Sequence, residues 1–192
     1  MTACMMEEST RFQASEREII LVDDNDYPND IGESDIFGNV HVGEGLYLNK
    51  DVYERLYGYQ KKALLWFWDL HRKKKGGILG DDMGLGKTIQ VIAFLRSLTE
   101  TIPSLKLRVL LVLPATLIEN WIREFNNWAP KMCLYKLHGN LLMYQKRCLL
   151  YQVQMTGGIL LTSYGILRTL KYELSHKEGQ PFVWVSIKSL DV

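Results

Sequence analysis

Apolar residues recur three or four places apart at Leu56, Tyr59, Ala63, Phe67 and Leu70, and the run closes on the basic stretch Arg72–Lys75. That spacing predicts an amphipathic helix, broken by Gly76 and Gly77. Ile78 and Leu79 then read as a short buried strand, and Lys87–Leu98 as a helix apolar on most sides. Arg108–Leu113, RVLLVL, is of strand length and almost wholly apolar, as expected of a parallel strand covered on both faces. Pro114 ends it. Thr116 and Glu119 have the spacing of a capping box, and Ile118, Trp121, Phe125 and Trp128 keep helical periodicity up to Pro130. Cys133–Leu137 reads as a strand, Leu141–Val153 as a helix and Ile159–Thr162 as a strand. Strand and helix alternation of this kind predicts an α/β fold, a parallel sheet with helices on both faces.

The amino-terminal part breaks that pattern. Residues 1–39 are acidic and poor in periodic apolar positions, with DDNDYPND at Asp23–Asp30, and predict a disordered arm. Residues 40–58 form a leading segment, and 59–192 the folded lobe. The one β-prone island in the arm, Ile19–Asp24 (IILVDD), resembles a SUMO-interacting motif, an apolar run able to add to a partner's sheet edge.

Charge divides along the same line. Thirteen acids face four bases over residues 1–58, a balance of −9, whereas 59–192 hold 19 bases and 9 acids, a balance of +10. A cationic lobe attracts a polyanion such as nucleic acid, although solvated surface charge gives the same balance. The longest apolar stretch, Val109–Ile118, is interrupted by Pro114 and Thr116 and falls far short of the roughly 20 residues a bilayer crossing needs. No membrane association is expected. Cys4, Cys133 and Cys148 lack the paired spacing of a zinc site or disulfide framework and fit a reducing compartment. The four histidines are scattered and carry no assigned role.

Chemistry concentrates in GGILGDDMGLGKTIQ, Gly76–Gln90. A glycine-rich turn leading into a helix presents several backbone N–H donors to an anion, and Gly84 and Gly86 leave room for close approach. The helix dipole contributes only about 0.3–2 kcal/mol, so most of the affinity for a triphosphate must come from the amides, a lysine and a metal ion. Lys87 is the candidate point charge for the β and γ phosphates of ATP, and the Thr88 hydroxyl the candidate Mg²⁺ ligand. The general pattern G-x-x-x-x-G-K-[ST] is not met in full, because Asp81 stands where its first glycine belongs.

That departure points to a family. Asp81, Asp82, Met83, Gly84, Leu85, Gly86, Lys87 and Thr88 spell DDMGLGKT, which resembles helicase motif I of the Swi2/Snf2 ATPases, usually Asp-Glu-Met-Gly-Leu-Gly-Lys-Thr. YGYQKKALLWFWDLH is similar to the family's Q-motif helix, VLLVLPATLIENWIREFNNWAP to motif Ia, and GGILLTSYGILR to the Ib region. The segments GGILGDDMGLGKTIQVIAFL and GQPFVW resemble the Cockayne syndrome B and PICH branch most, and the likeness covers about residues 46–184. It implies the amino-terminal part of a first RecA-like lobe, with Gln60 reading adenine. Pro114, Thr116, Thr162 and Ser163 would touch the DNA backbone. It further implies a nuclear DNA-dependent ATPase that acts on chromatin or DNA-bound protein.

After FVW the branch runs through an apolar strand into Asp-Glu-x-His, whereas this sequence reads FVWVSIKSLDV, with Asp191 the only nearby acid. Neither that motif nor the second lobe with its arginine finger is found in the 192 residues. The expectation is a truncated lobe that binds ATP without useful turnover. Two alternatives stand beside it: a non-catalytic nucleotide- or DNA-binding module, and a small-molecule P-loop kinase. The Trp-rich motif Ia helix and the Q-motif helix speak against the kinase.

Overall fold

A computed structural model describes residue 35, residues 37–170 and the backbone of 183–186. The arm through residue 34, the Ile19–Asp24 run and Asp191 lie outside the described residues. The first element is an antiparallel hairpin, β1 (Asn39–Gly43) and β2 (Leu46–Asn49). Alternation of Leu46 and Leu48 inward with Tyr47 outward is the half-buried strand pattern. Helices α1 (Lys50–Arg55), α2 (Gly58–Arg72) and α3 (Lys87–Thr101) follow. Then come β3 (Arg108–Leu113), α4 (Ile118–Trp128), β4 (Leu134–Leu137), α5 (Met143–Thr156), β5 (Gly158–Ser163), α6 (Tyr164–Thr169) and β6 (Val183–Ser186).

The four later strands form one parallel sheet in the order β4–β5–β3–β6. Side chains of β3 and β5 alternate between its two faces. Val109, Leu111, Leu113, Ile159 and Leu161 join a core with α1–α4 and the hairpin, while Leu110, Val112 and Leu160 meet Leu150 and Val153 of α5 and the end of α6. The apolar part of the RVLLVL run, Val109–Leu113, is thus covered on both sides, as its composition predicts. On α4 all four periodic residues, Ile118, Trp121, Phe125 and Trp128, are buried. Each such side chain contributes roughly 1.5–3 kcal/mol relative to an exposed one.

Three local expectations are corrected. The stripe of α2 that faces inward is Gln60, Leu64 and Trp68, one position round from the run containing Tyr59, which is 36% exposed. Trp68 turns inward because its indole N–H finds a partner, the Glu44 carbonyl at 3.0 Å. Thr116 and Glu119 form no capping box. Thr116 lies in a 3₁₀ turn at Ala115–Leu117, α4 starts after Leu117, and Glu119 instead pairs with Lys136, whose hydrogen bond holds its carboxyl below the usual range. Ile78 and Leu79 form no strand, and Ile78 is 87% exposed. A two-residue apolar piece has no ladder of its own, and no described strand pairs with it.

What fixes α3 is a set of side chains reaching from its last turns. Arg96 Nε donates to Glu100 at 2.8 Å and Arg96 Nη1 to the Trp128 carbonyl at 2.8 Å. Glu100 also accepts the Asn49 amide at 2.6 Å, and Thr101 Oγ1 accepts that of Tyr47 at 2.9 Å. The carboxyl end of α3 is thereby tied to the hairpin and to α4. At its flank, Phe94 stacks on Phe67 of α2 and meets the edge of His71, whose burial lowers its pKa.

The Arg96–Glu100 pair is about four-fifths buried, with side-chain exposures of 20% and 18%. Replacing Arg96 by Met is expected to cost about 2 kcal/mol in urea unfolding, because two charge-assisted bonds vanish. Lys73→Ala, which removes the exposed pair with Asp69, should change stability by less than about 0.5 kcal/mol. Equal losses for the two variants would contradict the role given to α3.

Candidate nucleotide site

The chain reaches the glycine-rich loop across α2. Gly77 sits where a Cβ would come within 2.5 Å of a Leu70 methyl and 2.7 Å of the Trp66 ring, so a larger residue there would require those side chains to shift. From Asp82 to Leu85 the loop is open to solvent, with Met83 84% exposed. Gly84 and Gly86 take left-handed conformations, φ 87° and 72°. Gly86 is the residue from which α3 begins, and Lys87 and Thr88 fill the first two helical positions. A helix start, whose first N–H groups have no partner within the helix, and an open turn thus lie next to one ammonium group.

Lys87 Nζ donates to the carbonyls of Asp81 at 2.7 Å and Asp82 at 2.8 Å. Among the described residues it forms no ion pair with a carboxylate. Its charge is thus balanced only by neutral oxygens, which a phosphate exceeds as a partner. A polyphosphate with Mg²⁺ fits this donor set: amides and Lys87 for the phosphate oxygens, the half-buried Thr88 hydroxyl for the metal. No group of three or more His, Cys, Asp or Glu that could hold a metal occurs among the described residues, so such an ion would rely on phosphate and water oxygens.

Gln60 is 3% exposed, and both ends of its amide are engaged within the chain. Oε1 accepts the Tyr57 N–H at 3.0 Å, and Nε2 donates to the Leu85 carbonyl at 3.3 Å. The residue expected to read a base is here a brace between the start of α2 and the loop. The stacked rings of Tyr57 and Tyr59 lie beside it in sequence, Tyr57 being 68% exposed. Gln90, which the apolar periodicity of α3 does not single out, is fully buried and donates to Asp81 Oδ2 at 2.9 Å and to the Leu85 carbonyl at 3.2 Å. The signal for it was an amide inside an otherwise apolar helix run.

The four residues expected at DNA lie at the carboxyl ends of two adjacent parallel strands, since Leu113 and Ser163 are partners in register. This end of a parallel sheet is where α/β folds place ligands. Pro114 is half-buried there and Thr116 exposed. Thr162 is fully buried and donates its hydroxyl to the Leu137 carbonyl at 3.0 Å, so its side chain serves the sheet. Ser163 is 8% exposed at the start of α6. A separate cavity of about 560 Å³, lined by Asn49, Arg96, Lys131 and Gly157 among others, lies at the opposite, amino end of the strands and shares no residue with the loop.

Residues 59–187, more than half of the sequence, match the model of the SNF2-related domain. The chain belongs to that family. Among curated SNF2 relatives, the mouse DNA excision repair protein ERCC-6-like is 40% identical over 141 residues, 73% of this chain and 11% of the relative. Human DNA excision repair protein ERCC-6 is 34% identical over 179 residues, 86% of this chain and 11% of the relative. The yeast (Saccharomyces cerevisiae) DNA repair and recombination protein RAD26 is 44% identical over 88 residues, 46% of this chain and 8% of the relative. The SNF2 sequence thus spans about a tenth of the length of these curated relatives. In solved structures it resembles the Sulfolobus solfataricus SWI2/SNF2 ATPase core in complex with dsDNA, with TM-score 0.50 and 28% identity over 65% of this chain and 24% of that one. The α/β architecture is that of a partial RecA-like SNF2 core.

A Cβ on Gly86 would lie 2.6 Å from Gln60 Nε2 in a left-handed backbone. Gly86→Ala is therefore expected to lose about 1–3 kcal/mol in denaturant unfolding. Gly80→Ala, where a Cβ meets nothing within 4 Å, should stay within about 0.5 kcal/mol of wild type. Indistinguishable variants would contradict the close approach of α2 to the loop.

Proposed function

We propose that this chain is the nucleotide-binding portion of a SNF2-type, DNA-dependent ATPase. The observation that carries the reading is the Lys87 ammonium, set at the first position of α3 beside an open glycine turn and held by carbonyl oxygens alone. In this role the amides of Gly84–Thr88 and Lys87 bind the β and γ phosphates of ATP, and Thr88 the accompanying Mg²⁺, whose contribution is to neutralise phosphate charge. Asp81, Asp82, Met83 and Leu85 shape the turn. Gln60 contacts the adenine once it exchanges one of its internal bonds for the base edge.

DNA is the proposed second ligand, taken by its backbone at the carboxyl end of the sheet, where Thr116 is exposed and Pro114 and Ser163 lie nearby. The positive balance of residues 59–192 and the likeness to a SWI2/SNF2 core in complex with dsDNA support this. The DNA excision repair relatives support a role in DNA repair and, with it, a nuclear location. Chromatin or DNA-bound protein is the proposed target, and Ile19–Asp24 a proposed SUMO contact. Binding is the step for which these residues supply the groups; hydrolysis is proposed for the whole protein, with its second lobe.

Titration calorimetry with Mg-ATP tests the reading. Lys87→Ala is expected to bind at least about tenfold more weakly than wild type, since a charge-assisted contact to phosphate is lost. Equal affinities would exclude the phosphate-loop role.

A further inference from the structure

The Leu85 carbonyl accepts two side-chain amides, Gln60 Nε2 from α2 at 3.3 Å and Gln90 Nε2 from α3 at 3.2 Å. In a planar trans peptide the C=O and the next N–H point in opposite directions. Fixing the Leu85 oxygen against the two helices therefore turns the Gly86 N–H away from them. Gln90 carries a second bond, to Asp81 Oδ2 at 2.9 Å, and Asp81 is the residue that replaces the first glycine of the general phosphate-loop pattern. Its carbonyl is held by Lys87 at 2.7 Å. Asp81 is thus gripped at its carboxylate by Gln90 and at its backbone by the lysine that ends the loop.

The orientation of the Gln90 amide is set by its neighbours. Turned over, its oxygen would face the Asp81 carboxylate and the Leu85 carbonyl, two acceptors. As placed, Gln90 Oε1 is buried with no partner among the described residues. A buried acceptor left unpaired lowers stability, so an apolar side chain of the same length would suit the core better. The amide stands against that cost where the buried face of α3 meets the loop, one turn beyond the Lys87 contacts.

We infer that Gln90 is a positioning residue for polyphosphate binding, acting through the Leu85 carbonyl and the Asp81 carboxylate. Gln60 can present its amide to a base only by giving up Tyr57 or Leu85, and Gln90 then keeps the Leu85–Gly86 peptide in place. The role depends on the nucleotide binding proposed above, and the two can fail separately.

The test uses the full 192-residue chain with Mg-ATP and Mg-tripolyphosphate as probes in calorimetry, and thermal unfolding beside it. Gln90→Met is expected to leave the Tm equal to or above wild type while weakening both ligands about tenfold, because the loop loses its brace and not its donors. Asp81→Ala removes the same bond from the solvent side and should weaken both ligands too; combined with Gln90→Met it should add little. Should Gln90→Met fail to fold, Asp81→Ala alone decides. Wild-type affinity in a folded Gln90→Met, or wild-type affinity in Asp81→Ala where Gln90→Met does not fold, would overturn the inference while leaving the nucleotide role intact. A wild-type chain that takes up neither ligand overturns both.

Discussion

The site depends on α3 being held rigidly between α2 and α4. A helix N-terminus binds an anion only if its free amides already point at it, and a short glycine turn has too few contacts of its own to enforce that. Here the enforcement comes from the far end of the helix, through Arg96, Glu100 and Thr101, and from the buried run Gln90–Ala93. The hairpin takes part by binding both helices: Glu44 accepts from Trp68 of α2, and the amides of Tyr47 and Asn49 donate to α3. In consequence Gln60 and Gln90, 30 positions apart in sequence, reach one carbonyl oxygen.

Strongly periodic or uniformly apolar segments were legible. β3 and α4 match their expected extents because RVLLVL and the Ile118–Trp128 series each admit one arrangement against a two-sided sheet. The hairpin is present as the alternation Val40, Val42, Leu46, Leu48 about Gly43 and Gly45, but two such short runs do not by themselves distinguish paired strands from a leading segment. Ile78 and Leu79 failed as a strand because pairing is a property of neighbours, which a two-residue run does not specify. The buried stripe of α2 was displaced by one residue for a related reason: the polar atoms of Gln60 and Trp68 found tertiary acceptors, and so those side chains could turn inward.

In the candidate site, Gly84, Gly86, Lys87 and Thr88 were legible because each residue type answers to a local need of backbone or charge. Residues acting through a third group were harder to see. Gln90 looks like an ordinary helix residue until Leu85 and Asp81 are placed beside it, and Thr162 looks like a free hydroxyl until Leu137 accepts from it. Asp81 illustrates both sides. Its departure from the general loop pattern is visible in the sequence alone, whereas the contact of its carboxylate with Gln90 of α3 is visible only in the fold.

The proposed site requires main-chain amides from Met83 to Thr88 to converge with Lys87 on a polyphosphate. The most direct measurement is the backbone amide spectrum of ¹⁵N-labelled protein during addition of Mg-ATP. Saturable shifts confined to Met83–Thr88 and neighbouring parts of α2 and α3, with α5 unmoved, are the predicted result. Signals of that turn that stay in place at millimolar excess would contradict it.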